Sequence, residues 1–307
     1  PWNMECLVVR CGMEDPLMVG LGDNLYEVWR PWISPRAASE VGWMSDVATD
    51  NSDQLYTFNR FDRYTDPPGQ PVISVYDATG GLLETMTLPD LSDGHGISIG
   101  PNDELILVDR DRHVVHILNR DGNTLLVLGE PNRPGRPFSH PTAAKFGPGG
   151  DIFVADGYGN SKIHRFSARG ALIKSWGSPG NGPGEFSTPH DISFTQTGEV
   201  VVCDRENNRI QIFDVEGGLI RQVPDVFHPM AVSVDENNMI LVSDQIPRLS
   251  MFNSDGQLVG RCRPTLYGGH GMCLDKAGNI YLTELRVNRV TRLRRVTRDG
   301  GSSVRER

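Results

Sequence analysis

The chain has 307 residues, a formal net charge of −9 and an apolar fraction of 38%. This acidic balance argues against a nucleic-acid partner, because phosphate binding depends on clustered lysine and arginine side chains. No segment approaches the roughly 20 consecutive apolar residues that cross a bilayer, so we expect no membrane partner. The 34 glycines and 21 prolines indicate many turns rather than long helices.

The cysteine pattern favours a reducing compartment. The chain has five cysteines, an odd number, and none of them forms a CxxC pair. The first residues, PWNMECLVV, also lack the basic start and apolar core of a secretion signal. We therefore expect a cytoplasmic protein with reduced thiols, although the spacing leaves one or two bridges open. The cysteines are Cys6, Cys11, Cys203, Cys262 and Cys273.

One pattern recurs six times along the chain, in copies that begin 40–50 residues apart. Each copy has an alternating apolar run, a turn rich in Gly, Asp or Asn, and a second apolar run. Two further strand-like segments follow, so each unit predicts a four-stranded antiparallel meander. The copies read SDVATDNSDQLYTFNRFD from Ser45, HGISIGPNDELILVDRDR from His95, TAAKFGPGGDIFVADGYG from Thr142, HDISFTQTGEVVVCDREN from His190, MAVSVDENNMILVSDQIP from Met230 and HGMCLDKAGNIYLTELRV from His270.

A single four-stranded unit cannot bury both of its faces, so the six units must stack around an axis. The sequence therefore predicts an all-β, six-bladed β-propeller that forms one domain over residues 1–295. The strand-like segment NLYEVWRPW precedes the first copy, and we expect it to close the ring by pairing with the last blade. Residues 296–307 form the basic end of the chain and are predicted to be a disordered tail.

Histidine begins the innermost strand in three of the six units, at His95, His190 and His270. These are the second, fourth and sixth units, whose equivalent positions lie about 120° apart in a six-bladed ring. The three imidazoles are therefore expected to converge on one point of the axis. Three histidines with an open fourth position are a common ligand set of catalytic zinc, so the pattern predicts a Zn²⁺ site.

The other five histidines have structural explanations. Two of them precede a proline at a strand entry, and three lie in or beside third strands. A lone axial histidine would also be interpreted as a core residue, so the metal site is predicted only because three share one register. The five are His113, His116, His140, His164 and His228.

Three segments, VADGYGNSKIHRFS, SWGSPGNGPGEFSTPHDI and CDRENNRIQIFD, carry a family resemblance. With the repeats and the three axial histidines, the chain resembles the NHL-repeat propellers, and among them the peptidyl-α-hydroxyglycine α-amidating lyase family. The resemblance runs from about Leu25 to about Arg289. GPGEF followed by proline is similar to NHL repeats in general, whereas DGYGNS, PHD and DREN are closer to the lyases.

The resemblance implies an enzyme that cleaves the C–N bond of an N-acyl-α-hydroxyglycine, giving a primary amide and glyoxylate. It implies that the three axial histidines hold zinc, and that Tyr158 in DGYGNS is the catalytic base. It also implies two catalytic arginines, matched by Arg60 in FNRFD and Arg205 in DREN. A planar guanidinium suits a substrate carboxylate, and we assign that role first to Arg60 and second to Arg205. The similar Arg110 in VDRDR is interpreted as lying off the site.

The chain departs from the family pattern at several positions. Gly268 and Gly271 stand where family members have a methionine and an aspartate beside the third histidine. The resemblance also implies a structural Ca²⁺ ion in the axial channel, which the missing aspartate disfavours. Cysteines that the animal enzymes pair are replaced by Gly159, Val201 and Ile212, in agreement with a cytoplasmic location.

Three functions are open at this stage. The first is a zinc-dependent lyase whose substrate is a small molecule or a peptide end with a carboxylate. The second is a metal-dependent hydrolase of a small amide or lactone, and the third is a non-enzymatic NHL binding scaffold. Release of glyoxylate separates the lyase from the hydrolase. A scaffold predicts basic or aromatic surface patches, of which the acidic composition offers little. The sequence leaves the oligomeric state open.

Overall fold

The computed structural model describes residues 16–33, 42–61, 72–88 and 91–297. Within these ranges the chain forms 25 β-strands and three short 3-10 turns. The strands make six antiparallel sheets, five with four strands and one with five. The predicted six-bladed β-propeller is therefore confirmed. None of the helical turns in the described ranges has the length and apolarity needed to cross a bilayer.

Blades 1 to 3 are consecutive four-stranded meanders. Blade 1 consists of β3 (Trp43–Thr49), β4 (Leu55–Arg60), β5 (Val72–Tyr76) and β6 (Leu82–Thr87). Blade 2 consists of β7 (Gly94–Ile99), β8 (Leu105–Asp109), β9 (Val114–Leu118) and β10 (Thr124–Leu128). Blade 3 consists of β11 (Ala143–Phe146), β12 (Ile152–Asp156), β13 (Lys162–Phe166) and β14 (Leu172–Trp176), with a 3-10 turn at Pro148–Gly150.

Blades 4 and 5 follow the same plan, and blade 6 combines both ends of the chain. Blade 4 consists of β15 (Pro189–Phe194), β16 (Val200–Asp204), β17 (Arg209–Phe213) and β18 (Leu219–Val223). Blade 5 consists of β19 (Pro229–Val234), β20 (Ile240–Asp244), β21 (Leu249–Phe252) and β22 (Leu258–Cys262). Blade 6 contains β23 (Met272–Leu274), β24 (Ile280–Glu284) and β25 (Arg289–Arg295), followed by β2 (Asn24–Trp29) and β1 (Met18–Leu21). The remaining 3-10 turns are Arg205–Asn207 and Leu285–Val287.

The second strand of each blade is buried along its whole length. Strand β8 reads LILVD and β16 reads VVVCD, and all of their residues are buried. A neighbouring blade covers each face, so apolar residues are needed on both sides of the strand rather than on alternate positions. The outer strand β6 is instead almost fully exposed. Burial thus falls from the inner strands of a blade to its rim.

A separate apolar cluster fills the space between each pair of neighbouring blades. Between blades 1 and 2, for example, Tyr56 and Phe58 pack with Leu105 and Leu107. The inner strands contact one another in chain order, and β23 meets β3 to complete the circle. Equivalent residues of the six inner strands are therefore held around a common axis by apolar packing.

The segment NLYEVWRPW closes the ring, as the sequence predicted. Strand β2 pairs antiparallel with β25, and Val28 lies opposite Leu293. Both residues belong to the cluster between blades 5 and 6. Strand β2 therefore covers the edge of β25, which could otherwise pair with a strand of another chain.

A buried carboxylate ends the second strand in five of the six blades. Each one accepts a hydrogen bond from a backbone amide of the loop that enters the inner strand of the same blade, at 2.8–3.2 Å. This contact holds the entry loop close to the end of the second strand. The donor and acceptor pairs are Ser92 with Asp109, Ser139 with Asp156, Ser187 with Asp204, Phe227 with Asp244, and Tyr267 with Glu284.

Cys203, Cys262 and Cys273 are free thiols, as the sequence led us to expect for these three. Cys6 and Cys11 lie outside the described residues, as do residues 298–307 of the predicted basic tail. The single-domain range of residues 1–295 includes such segments and stays a prediction.

Replacing Val28 by aspartate should open the ring at blade 6. Val28 is 8% exposed, so an unpaired carboxylate would be placed in the apolar cluster beside Leu293. We expect the free energy of unfolding, measured in urea, to fall by about 3 kcal/mol. Leu25→Asp is the control on the same strand, because Leu25 is 40% exposed. Equal losses in the two variants would contradict this role of β2.

Candidate metal centre and substrate site

Three imidazole rings form a nearly equilateral triangle on the axis. The ring centroids of His95, His190 and His270 are separated by 5.1, 5.2 and 5.1 Å. One nitrogen from each ring lies within 4.8 Å of the others, a group that could hold one metal ion. His95 and His190 are 2% and 3% exposed and are withdrawn from solvent, whereas His270 is partly exposed. The structure therefore brings the three histidine side chains together on the axis, as their shared register predicts.

The outer nitrogen of each imidazole is fixed by the backbone of the next blade. The Nδ1 atoms of His95, His190 and His270 lie 2.7, 2.7 and 2.6 Å from the carbonyl oxygens of Thr142, Met230 and Ser45. A carbonyl can only accept, so each Nδ1 carries the proton and donates it. Each Nε2 is then left with a free lone pair. This second contact is what metal-binding histidines commonly show, and the donor set therefore fits a divalent ion.

The three histidines are held in their neutral form. Burial lowers the pKa of His95 and of His190 well below the ordinary value of 6.5. Burial, together with the positive charge of Arg60, lowers the pKa of His270 to about 4. A metal ion binds neutral imidazole, so near pH 7 these side chains need to lose no proton before they bind one.

Tyr158 stands at the mouth of this triangle. Its hydroxyl oxygen lies 3.0 Å from Nε2 of His95 and 3.3 Å from Nε2 of His190. The hydroxyl also accepts a hydrogen bond from Nη1 of Arg205 at 3.3 Å. The tyrosine is 38% exposed, so the site opens to solvent on this face. The predicted base and the predicted ligands therefore share one site.

Gly157 allows Tyr158 to approach the histidines. A Cβ atom at Gly157 would lie 2.0 Å from the carbonyl oxygen of Pro189, the residue before His190. Any side chain would force the turn after β12 away from β15. Gly157 is thus required for a steric reason, because blades 3 and 4 pack closely together beside the site.

Arg60 and Arg110 share one buried carboxylate. Nε of Arg60 lies 2.9 Å from Oδ1 of Asp93, and Nη2 of Arg110 lies 2.7 Å from its Oδ2. Burial raises the pKa of Asp93 to about 6 against the opposing effect of the two arginines. The guanidinium of Arg110 also lies 5.8 Å from the ring centre of Tyr158.

The interpretation of Arg110 as an off-site residue is therefore wrong. Arg110 occupies in blade 2 the position that Arg205 occupies in blade 4, directly after the second strand. Nε of Arg110 also binds Oδ1 of Asp111 at 3.0 Å. The signal that could have identified Arg110 was its register, which is the same as that of Arg205.

Arg205 is positioned by a chain of polar contacts. Its guanidinium carbon lies 5.2 Å from the ring centre of Tyr158, and its Nε donates to Oε1 of Glu206 at 2.8 Å. The other carboxylate oxygen of Glu206 is 3.2 Å from Nδ1 of His228. His228, predicted to be structural, thus supports a site residue through Glu206.

A second charged layer crosses the pore behind the histidines. Nζ of Lys145 lies 3.0 Å from Oδ1 of Asp191. Oδ2 of Asp46 accepts a hydrogen bond from the backbone amide of Ile97 at 2.9 Å. A small cavity between the layers is lined by both aspartates and the three axial histidines. Burial disfavours the charge of Lys145, but Asp191 and Asp46 outweigh it and raise the lysine's pKa. Burial and the charge of Asp191 raise the pKa of Asp46 to about 7.

This layer bears on the calcium ion that the resemblance implies. Gly271 replaces the family aspartate, and a Cβ atom there would lie 2.1 Å from Oδ1 of Asp46. The position therefore has no room for a larger side chain without movement of Asp46. Lys145 already supplies a positive charge to the two carboxylates of this layer.

The metal-free protein should lose stability as the pH falls from 6.5 to 4. In the unfolded chain His270 takes up a proton near pH 6.5, whereas in the folded chain it does so only near 4. Unfolding then binds protons in this window, so the free energy of unfolding falls with falling pH, by up to about 3 kcal/mol. Urea unfolding of EDTA-treated protein measures this loss, and the fall should be shallower in His270→Gln. Parallel pH profiles for the two proteins would refute the explanation.

Comparison with known proteins gives one repeat match and several relatives. Residues 186–213 match the family model of the NHL repeat. A probable peptidyl-alpha-hydroxyglycine alpha-amidating lyase of Caenorhabditis elegans is 26% identical over 84% of this chain and 84% of its own length. Peptidyl-glycine alpha-amidating monooxygenase A of Xenopus laevis is 33% identical over 62% of this chain. The matched part is only 23% of that longer relative.

A solved gluconolactonase from Xanthomonas campestris is similar in fold, with a TM-score of 0.66 and 15% identity. The match covers 93% of this chain and 96% of that one, and it supports the propeller fold alone. The chain is therefore a six-bladed propeller with an NHL-repeat match, and it is similar to peptidyl-α-hydroxyglycine α-amidating lyases.

Proposed function

We propose that the chain is a zinc-dependent lyase that cleaves the C–N bond of N-acyl-α-hydroxyglycine-like carbinolamides to an amide and glyoxylate. One observation carries the proposal. The hydroxyl of Tyr158 lies 3.0 Å from a ligand nitrogen of His95 and 3.3 Å from the guanidinium of Arg205. A base, a metal donor set and an anion-binding cation are thus within reach of one small substrate.

Arg60, Arg110 and Arg205 are the groups proposed to bind the substrate carboxylate. They come from blades 1, 2 and 4, on the same face of the ring as Tyr158. A guanidinium offers two parallel N–H donors, which match the two oxygens of a carboxylate. Asp93 holds Arg60 and Arg110 in place through contacts of 2.9 and 2.7 Å, so little side-chain freedom is lost when an anion binds.

Tyr158 is proposed to move the proton of the reaction. In its phenolate form the oxygen takes the proton of the substrate hydroxyl, and the hydroxyl carbon forms a carbonyl as its bond to nitrogen breaks. The departing amide nitrogen then takes up the proton from Tyr158, so that the base is regenerated. Nη1 of Arg205 donates a hydrogen bond to this oxygen at 3.3 Å and so holds it in position for the proton transfer.

The metal is proposed to be zinc because three neutral imidazoles match its preferred donors. Nε2 atoms of His95, His190 and His270 would hold it. When bound there, zinc supplies Lewis acidity next to the oxygen of Tyr158. Substrates with a carboxylate, either small molecules or peptide ends, are the proposed partners.

A metal-dependent hydrolase is the alternative function. We consider it because a solved gluconolactonase has a similar fold. The two reactions differ in their products. Incubation with an N-acyl-α-hydroxyglycine should release glyoxylate and a primary amide in equal amounts if the chain is a lyase. Hydrolysis of a lactone or amide without any glyoxylate from the carbinolamide would favour the hydrolase instead.

His190→Ala should remove both the metal and the activity. The variant leaves two of the three axial nitrogens, which is too few to hold the ion firmly. Metal analysis should give about one zinc per wild-type chain and much less in the variant, with a rate lower by about 1,000-fold. His116→Asn is the control, because His116 lies on β9 and away from the axis. Full activity in zinc-free His190→Ala would rule out the metal mechanism.

Tyr158→Phe should abolish most of the activity while the zinc content stays unchanged. The change removes the hydroxyl but keeps the ring between Arg110 and Arg205. Loss of a positioned base costs about 100-fold to 10,000-fold in rate. We expect this loss in kcat for glyoxylate release. A variant with kcat within about twofold of wild type would show that another group takes the proton.

A further inference from the structure

The charged layer behind the histidines occupies one register of the repeat. In the position that directly follows the histidine register, aspartate occurs in blades 1 and 4, at Asp46 and Asp191. These blades are opposite each other in a six-bladed ring, and both side chains line the small cavity beside the histidines. Two carboxylates of like charge are therefore brought together in the pore. The other four blades have small residues at this position, namely Gly96, Ala143, Ala231 and Gly271.

Lys145 supplies the positive charge of this layer. It lies three residues after the histidine register in blade 3, and every other blade has a small residue there. Its Nζ atom lies 3.0 Å from Oδ1 of Asp191 and 3.5 Å from the carbonyl oxygen of Val232. Within the described ranges, it is the one lysine or arginine that lines this part of the pore. The equivalent residues of the other blades are Ala48, Ser98, Ser193, Ser233 and Cys273.

The two aspartates are held in the same way by the backbone. Each carboxylate accepts one amide of its own strand at 2.8 Å and one amide of the next blade's inner strand at 2.9 Å. These contacts fix the direction of both carboxylates, so neither can turn away from the other into solvent. The donor amides are those of Val47 and Ile97 for Asp46, and those of Ile192 and Val232 for Asp191.

The charged layer is joined to the strands that carry the histidine triangle. Asp191 directly follows His190 in the chain. Asp46 directly follows Ser45, whose carbonyl oxygen lies 2.6 Å from Nδ1 of His270. Repulsion between the two carboxylates would therefore act on the strands that orient two of the three imidazoles. A cation beside the carboxylates offsets this repulsion.

A Ca²⁺ ion does not fit beside the ammonium group of Lys145. Calcium takes about six to eight oxygen ligands, and an ammonium group supplies none and repels the ion. The carboxylate oxygen of Asp191 that such an ion would need already lies 3.0 Å from Nζ. Gly271 adds no side-chain oxygen to the pore. The channel ion that the resemblance implies thus conflicts with the charge that this chain already contains.

We propose that Lys145 is the structural cation of the pore, and that its ammonium group takes the place of a divalent ion between blades 1 and 4. The cation is covalently attached, so the closed ring needs no calcium from solution. Removal of the ammonium group should leave two carboxylates that require an added cation. This role of Lys145 is independent of the proposed lyase reaction.

Lys145→Ser tests this role, because serine is the residue of blades 2, 4 and 5 at the same position. A cavity of about 240 Å³ on the side of Lys145 away from the histidines gives an added ion access to the layer. Calcium-depleted protein is heated at about pH 8, where carboxylates are ionised, and unfolding is followed by circular dichroism. The melting temperature of the variant should lie about 6 °C below that of the wild type, because a buried pair has lost one partner.

Addition of about 10 mM CaCl2 separates a cation role from ordinary packing. Calcium should raise the melting temperature of Lys145→Ser by about 4 °C, because the ion binds the folded variant and not the unfolded chain. The wild type should move by less than about 1 °C. NaCl of equal ionic strength is the salt control, because it screens charges without offering a divalent ion.

Two further variants locate the effect. Lys174→Ser makes the same change on the outer strand β14, where Nζ lies 3.9 Å from Glu216 and the lysine side chain is 43% exposed. Its melting temperature should stay within about 1 °C of the wild type, with or without calcium. Lys145→Ser with Asp46→Ala removes one of the two carboxylates and introduces the alanine of blades 3 and 5. This double variant should melt above Lys145→Ser in calcium-free buffer and should not respond to calcium.

Several results would overturn the role of Lys145. These are a wild-type protein that loses stability when calcium is removed, a Lys145→Ser variant that does not respond to calcium, or an equal calcium response in Lys174→Ser. A double variant no more stable than Lys145→Ser would also overturn it. If Lys145→Ser refolds from urea only when calcium is present, the role is supported, and failure to refold in both buffers contradicts it.

Discussion

The candidate site depends on the hydrogen bonds that join each axial histidine to the backbone of the following blade. Even-numbered blades supply the imidazoles, and odd-numbered blades supply the carbonyls of Ser45, Thr142 and Met230. An imidazole without this contact could rotate about its Cβ–Cγ bond, so the carbonyl is needed to fix the direction of Nε2. The orientation of the three nitrogens is therefore a property of the closed ring and not of any single blade.

The same construction explains why charges can be buried around the axis. Asp93 is 1% exposed yet lies between two guanidinium groups, and Asp191 faces an ammonium group across the pore. Each buried charge has a partner from another blade, so its desolvation is offset only when the blades are assembled. The polar pore and the apolar spaces between blades thus favour the same closed arrangement.

The fold and the metal donors could be predicted because both follow from repetition. A period of 40–50 residues and a shared register place His95, His190 and His270 without any knowledge of distances. Pairings between blades could not be predicted in this way. The contact of Arg60 with Asp93 joins different blades, and it depends on loop geometry that no periodicity encodes. The register of Arg110 follows from the repeat, but its contact with Asp93 depends on the entry loop of blade 2 and could not be predicted in this way.

The strand that closes the ring has a consequence for ligand binding. His270 belongs to blade 6, whose outer strand comes from the other end of the sequence, whereas His95 and His190 belong to blades built from consecutive segments. An ion held by all three would therefore link blade 6, which is closed by the pairing of β2 with β25, to two continuous blades. By thermodynamic linkage, binding of the ion in the pore and the pairing of β2 with β25 must stabilise each other. The propeller would then be most resistant to opening when it is loaded.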